Sequence, residues 1–486
     1  MNKRHFIESI VPAAVLAFGL SACSGDDDAM TAGGDVRTPE VIYRLSVPAS
    51  FNAEGSAGDH ARNQVFADGT TRAVEFVTAD GKTTCNSIFK TTDRIYPYLS
   101  SASGVYVNNT QNSSLTPMDI SSDNMSATLT GTLKFDGTNV TVNKDDSIRL
   151  FYQTSYDGVA NYLGQTGTQE SVSEKDFSVA DVTVSSVAGD NTNGFTITTS
   201  QANFENLQSI FRFRIAGLEG DATIQHLNIH SGSDKLLTRY SLLGNNDDTK
   251  YGDILITPAA NTITNGSDLY AALRFDSDAG TINFTAIGSD GKVYEASRAS
   301  TPANGKYYGT TLSFTQMANT TAFAISGGTF SQSGVYYTLN TYKGSYTASG
   351  YGFGNISFGD TGITLTLSGV TLNSGNVAAI TVTNSPTITL SGTNTLEGQG
   401  EGITVSSNVT INGSGTLTVN SKEGISISNG STLTLDAGTL TGTVIVKSGG
   451  SFKVKSGATF SGTIKNSDGN ALSGTTSGDY TVYSAS

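Results

Sequence analysis

Ile380-Thr381-Val382, Ile403-Thr404-Val405 and Ile425-Ser426-Ile427 repeat one apolar–polar–apolar pattern at separations of 23 and 22 residues. Ile445-Val446 and Ile464 continue the series at separations of 20 and 19. Between these marks lie two further short strand patterns per unit, such as Thr387 to Leu390 and Asn394 to Leu396, with Gly, Ser and Asn in the intervals. A repeat near 20 residues carrying three short strands predicts a right-handed parallel β-helix with one coil per repeat, here over residues 319–486. A single coil cannot bury its own apolar stripe, so stacking has to supply the core. Thr and Ser at the outward positions keep the faces soluble.

Upstream, from about residue 40 to 318, strand patterns are irregularly spaced. In Ile210-Phe211-Arg212-Phe213-Arg214-Ile215, Phe211, Phe213 and Ile215 fall on one face and both arginines on the other, as in a half-buried strand. Thr281 to Ile287 and Lys292 to Ala296 read as two strands joined by the turn residues Gly288-Ser289-Asp290-Gly291. Val41 to Val47, Ser126 to Phe135, Val140 to Val142 and Ile148 to Gln153 are further strand candidates. The pattern predicts two antiparallel sandwiches, 40–200 and 201–318, ahead of the β-helix. Composition agrees with an all-β chain: Trp is absent, Pro is rare, charged residues make up 14%, and Thr, Ser, Val, Ile, Tyr and Phe dominate.

At the other end, Lys3 and Arg4 precede a ten-residue apolar core, Val11 to Leu20. That core is too short to cross a bilayer, which takes about 20 residues, and it suits an export leader, 1–22. Leu20-Ser21-Ala22-Cys23 resembles a bacterial lipobox, which implies acylation of Cys23 and cleavage just before it, placing the chain in an outer membrane. Ser24-Gly25-Asp26-Asp27-Asp28 opens a solvated acidic tether, 23–39. The acidic run also resembles the signal that sends Bacteroidetes lipoproteins to the cell surface.

The formal charge is −14, and loss of Lys3, Arg4 and Glu8 with the leader leaves −15. With no basic stripe, such a chain repels phosphate backbones, which excludes nucleic acid as a partner. There are two cysteines; with Cys23 lipidated, Cys85 has no intramolecular partner and reads as a small half-buried side chain.

The segments Asn206 to Ile215, Ala272 to Phe275, Thr281 to Ala286 and Gly305 to Phe314 resemble the fimbrillins of Bacteroidetes, subunits and tip proteins of surface pili. Together with the leader, the resemblance covers residues 1–318. It implies two transthyretin-like sandwiches in tandem and an assembly mechanism. Cleavage after an arginine releases the first strand, and a strand from a neighbouring subunit fills the groove. Thr70-Thr71-Arg72-Ala73 looks like the cleavage site, with Arg37, Arg44 and Arg62 as competitors, and Val41 to Val47 would be the strand that leaves. Residues 52–69, rich in Gly, Ala, Asp and Asn, suit a protease-accessible loop. Gly362 to Leu372, Ile388 to Leu396 and Val409 to Val419 resemble bacterial carbohydrate-binding β-helices, which implies a glycan ligand.

For chemistry, the solenoid has few acids. Glu401 and Glu423 each precede Gly-Ile at the start of neighbouring coils, about 4.8 Å apart. Two carboxylates that close would favour a bound Ca²⁺ shared with an acidic sugar, unless they are solvated turn residues pointing apart. Phe330, Tyr336, Tyr337, Tyr342, Tyr346, Tyr351, Phe353 and Phe358 cluster at the junction, as a cap on the first coil or as a sugar-stacking surface. His226 and His230 share a strand face roughly 13 Å apart, too far for one ion, and read as surface residues. Gly398, Gly400 and Gly402 read as a solenoid corner. The hydrolase, metalloprotease and phosphate-loop motifs are missing, so no catalytic residue and no cofactor is expected. The sum is a surface adhesion protein, a pilus tip or accessory subunit whose β-helix meets glycans. The competing reading is a permanently anchored glycan-binding lipoprotein that does not polymerise.

Overall fold

The computed structural model describes residues 41–485 apart from 52–73, 80–81, 101–112, 136–139, 153–157, 191–192, 245–247, 278 and 300–301. The leader, Cys23, Arg72 and Ala73 lie outside the described residues. Among those described, strands dominate and the helix is a single turn, Gln169–Ser173, capped by the Thr168 side chain, which accepts from the Ser171 N–H.

The N-terminal strands are β1 (Val41–Phe51), β2 (Val74–Ala79), β3 (Lys82–Ser87), β4 (Ile95–Ser100), β5 (Ser114–Met118), β6 (Ser126–Phe135), β7 (Ser147–Tyr152) and β8 (Val159–Asn161). Then come β9 (Ser178–Asp190), β10 (Gly194–Thr199) and β11 (Ala202–Asn206). Where two separate facing sheets were expected, the pairings run from β1 through β6, β5, β4, β7 and β9 to β10 and β11 and back to β1. The circuit closes because β1 is long enough to pair with β6 on one side and with both β10 and β11 on the other. Among the described residues β4 joins β5 through the pair Ile95 and Leu115. β2 and β3 pair as a separate hairpin, with Cys85 on β3 opposite Phe76. Val140 to Val142 is irregular rather than a strand. Val142 is buried and its N–H bonds the Tyr43 hydroxyl, so a side chain takes the place of a strand partner there.

The second domain comprises β12 (Ser209–Ala216), β13 (Ile224–Ser231), β14 (Leu236–Ser241), β15 (Lys250–Tyr251) and β16 (Ile254–Ile256). β17 (Asp268–Phe275), β18 (Thr281–Gly288), β19 (Lys292–Ala299), β20 (Tyr307–Ser313) and β21 (Thr315–Thr321) complete it. One sheet runs β15-β14-β17-β12-β20 and the other β16-β13-β18-β19-β21. They share a core in which the Phe213 ring meets Phe284 edge-on at 5.1 Å. On β12, Phe211, Phe213 and Ile215 are buried as their alternation predicts, while Arg212 and Arg214 pair with Asp268 on the opposite face. The β18–β19 turn is tied by Asp290, which accepts from the Lys292 N–H and the Tyr294 hydroxyl. Strand membership does not change at residue 200: β11 belongs to the first circuit, and β8 crosses over to pair with β14.

From Tyr336 onward the strands stack as a parallel solenoid of about six turns. Ladders of identical type run through it: Ile380 pairs with Ile403, and Ile403 with Ile425. The next rung is Val444, not Ile445. The sequence alignment is therefore one residue off at that coil. A one-residue slip exchanges faces, and Val444 and Val446 are buried whereas Ile445 is half-exposed. Asn394 interrupts the apolar ladder beside Leu417 and is fully buried. It accepts from the Val370 N–H and donates to the carbonyls of Ser391 and Thr416, so its polar atoms are satisfied. An antiparallel hairpin, Phe330–Ser333 with Tyr336–Leu339, closes the first coil. At the far end Tyr480–Ser484 runs antiparallel to Ser451–Lys455 and caps the last coils.

Candidate functional site

β1 is the element on which the assembly reading depends. Strict alternation buries Tyr43, Leu45, Val47, Ala49 and Phe51, each at most 5% exposed, and leaves Arg44, Ser46 and Pro48 in solvent. β1 lies antiparallel to β6 from Val41 opposite Phe135 to Ser50 opposite Ser126. On its other side Tyr43 to Ser46 run parallel to β10, and Ala49 to Phe51 run parallel to β11. Val47 and Pro48 fall in the gap between those two partners, where a residue without an N–H is tolerated. Taking β1 away would leave a slot with exposed strand edges on both sides and an apolar floor.

Aromatic sockets mark both ends of the slot. Tyr43 stacks on Phe195 at 5.2 Å and meets Phe135 edge-on at 6.0 Å, while its hydroxyl donates to the Val140 carbonyl. Phe51 packs on Phe89 at 4.4 Å, Tyr152 at 5.3 Å and Phe204 at 5.5 Å. Beneath the second socket, the Tyr152 hydroxyl donates to Asp93 at 2.6 Å. Burial raises Asp93 above the usual carboxylate range, against that hydrogen bond. Asp176 is fully enclosed, accepting from Ser87 Oγ and Gln208 Nε2, and burial pushes it up to about 7. This buried polar cluster had no signal in the sequence, because its members are far apart along the chain.

Glu401 is half-buried and Glu423 exposed on the neighbouring coil, ahead of the register pair Ile403 and Ile425. Among the described residues no three His, Cys, Asp or Glu side chains come together in a way that could hold a metal ion. Of the aromatic cluster, Tyr346, Phe353 and Phe358 are buried, Tyr337 and Tyr351 are half-buried, and Phe330, Tyr336 and Tyr342 are exposed. One group thus serves both as cap and as exposed ring surface. His226 and His230 share a β13 face with Asn228, and the His230 side chain keeps 38% of its surface exposed. Both are half-buried, and His230 pairs with the buried Asp253 at 2.8 Å. The solenoid adjoins the His230 end of that face, where Asn373 and Asn376 reach Asp253.

No protein-family model matches the chain, and no curated protein matches it. Solved structures that superpose on it include a fimbrial assembly protein from Parabacteroides distasonis, with 9% identity, 56% of this chain and 90% of the other covered, and a TM-score of 0.28. The tip fimbrial protein Mfa3 from Porphyromonas gingivalis, truncated at its C-terminus, superposes at 9% identity over 55% of this chain and 83% of that one, with a TM-score of 0.24. Likenesses at that level assign no function to this chain.

Proposed function

We propose that this chain is a surface adhesion protein of the fimbrillin type, a pilus tip or accessory subunit, assembled by strand addition and presenting its β-helix to a glycan. The observation that carries the reading is the position of β1, held between β6 and the β10–β11 pair and joined to the next strand through residues 52–73, which contain Arg72 and Ala73. A cut there leaves β1 held by non-covalent contacts alone. An incoming extended segment could then replace it, gaining main-chain hydrogen bonds on both sides and pockets for alternate side chains. Cys23 would deliver the precursor to the outer membrane, and the lipid would leave with the segment ending at Arg72.

N-terminal sequencing of the mature surface protein tests the reading. Ala73 as the first residue supports assembly by strand addition. A blocked, lipidated Cys23 as the sole start refutes it and leaves a permanently anchored glycan-binding lipoprotein. For the ligand, the chain is tested on a glycan array that includes polygalacturonate, with and without EDTA. Binding lost both with EDTA and in Glu423→Ala supports a Ca²⁺ shared by Glu401, Glu423 and an acidic sugar; indifference to both ends that part of the proposal.

A further inference from the structure

The second domain and the solenoid meet along a polar seam centred on Asp253, whose side chain is 4% exposed. From its own domain the carboxylate accepts from Asn228 Nδ2 at 2.6 Å and lies 2.8 Å from His230 Nδ1. An ionised carboxylate can only accept, so Nδ1 carries the proton in this contact. From the solenoid, Asn373 Nδ2 donates to the same carboxylate at 3.2 Å, and Asn376 Nδ2 donates to the Asp253 carbonyl. Glu397 is the register partner of Asn373 on the next coil, and Gln399 Nε2 donates to Asp234 at 2.9 Å. Ile287, Val335 and Phe353, with the partly buried Leu255 and Tyr351, form the apolar part of the same junction.

The titratable groups facing one another are His230, Asp253 and Asp234 from the second domain, and Glu397 and Tyr351 from the solenoid. Burial raises the Tyr351 phenol, with the charges of Glu397 and Asp253 adding to it, so it stays neutral. With His230 neutral and Glu397 ionised, the seam sets a half-buried Glu397 against the buried Asp253, and a buried charge without a counter-charge is costly. A proton on His230 makes an ion pair with Asp253, and a proton on Glu397 removes the repulsion.

We propose that this seam is a proton-operated clamp: protons held by His230 and Glu397 keep the solenoid docked on the second domain, and their loss as pH rises loosens it. The hydrogen bond to Asp253 raises His230, against burial, and burial followed by the charge of Asp253 raises Glu397. Both groups therefore bind protons more tightly in the folded seam than in the unfolded chain. Their contribution is present at low pH and is lost as pH rises through the two raised values. The clamp does not depend on strand addition or on a glycan.

The test uses the chain from Ser24 onward. Histidine-selective NMR should show His230 titrating at higher pH than His226, which burial lowers. A His230 midpoint at or below that of free histidine overturns the proposal, and this reading needs no variant. Calorimetry then compares the wild type with Glu397→Gln and His230→Gln at pH 5 and pH 8.5. Glu397→Gln should raise Tm more at pH 8.5 than at pH 5, while His230→Gln should lower it more at pH 5 than at pH 8.5, the two pH values differing by about 2–4 °C in each variant. Equal shifts at both pH values in both variants overturn the clamp.

Discussion

Phe51→Ala is the perturbation that most directly probes the slot beneath β1. Phe51 is 5% exposed at the end of the strand, and its ring lies between 4.4 and 5.5 Å from those of Phe89, Tyr152 and Phe204. Truncating a buried phenylalanine costs about 3–5 kcal/mol, including the cavity left behind. Such losses act mainly on dissociation, and each 1.4 kcal/mol is a factor of ten, so release of β1 should quicken by about 10²–10³-fold. The assay places a specific protease site within residues 52–73, nicks the folded protein, and adds excess labelled peptide with the Val41–Phe51 sequence. Incorporation is followed by fluorescence anisotropy. Ser46→Ala, on the solvent face of the same strand, is the control and should change the rate by about twofold at most. A nicked Phe51→Ala protein exchanging at the wild-type rate would mean that the aromatic socket does not hold the strand, and the reasoning would fail.

Three more perturbations address the rest of the molecule. Val444→Ser should cost about 2–3 kcal/mol by urea denaturation and Ile445→Ser less than half as much, because Val444 is the inward rung; the reverse order would restore the register read from sequence. Asn394→Ala strips the partner from the buried Val370 N–H and from two carbonyls, and should lower solenoid stability by about 2–4 kcal/mol. A melting temperature unchanged in that variant would deny Asn394 a bracing role. Asp176, raised to about 7 by burial, makes the first domain lose stability as pH climbs from the ordinary carboxylate range to about 7, with no further change above. Asp176→Asn should flatten that slope in urea titrations at pH 4.5 and 7.5, and an unchanged slope would place the titration elsewhere.

Local pattern made several elements readable. The period-2 alternation of β12 and the spacing of the Ile-Thr-Val units depend on which side of one strand is apolar, and that information is carried by adjacent residues. Asn394 is legible as a polar residue in line with Leu417, but its partners, the Val370 N–H and the Thr416 carbonyl, lie on other coils. The slip at Ile445 has the same origin. Two successive β-branched residues fit either face, and the choice falls to Ile425 on the coil below and Ile464 on the coil above.

The sequence by itself determined an all-β chain, a solenoid following irregular strands, and a first strand with one buried face. Those properties follow from short-range periodicity and from composition. The tertiary structure alone decided that β1 lies between β6 and the β10–β11 pair, that the first circuit closes, and that Asp253 meets Asn373 across 120 residues of chain. His230 illustrates the physical reason. Its place on the outer face of β13 was legible, but whether that face meets water or another domain depends on which distant surface covers it, and pairing and docking over such separations leave no periodic mark in the residues that make them.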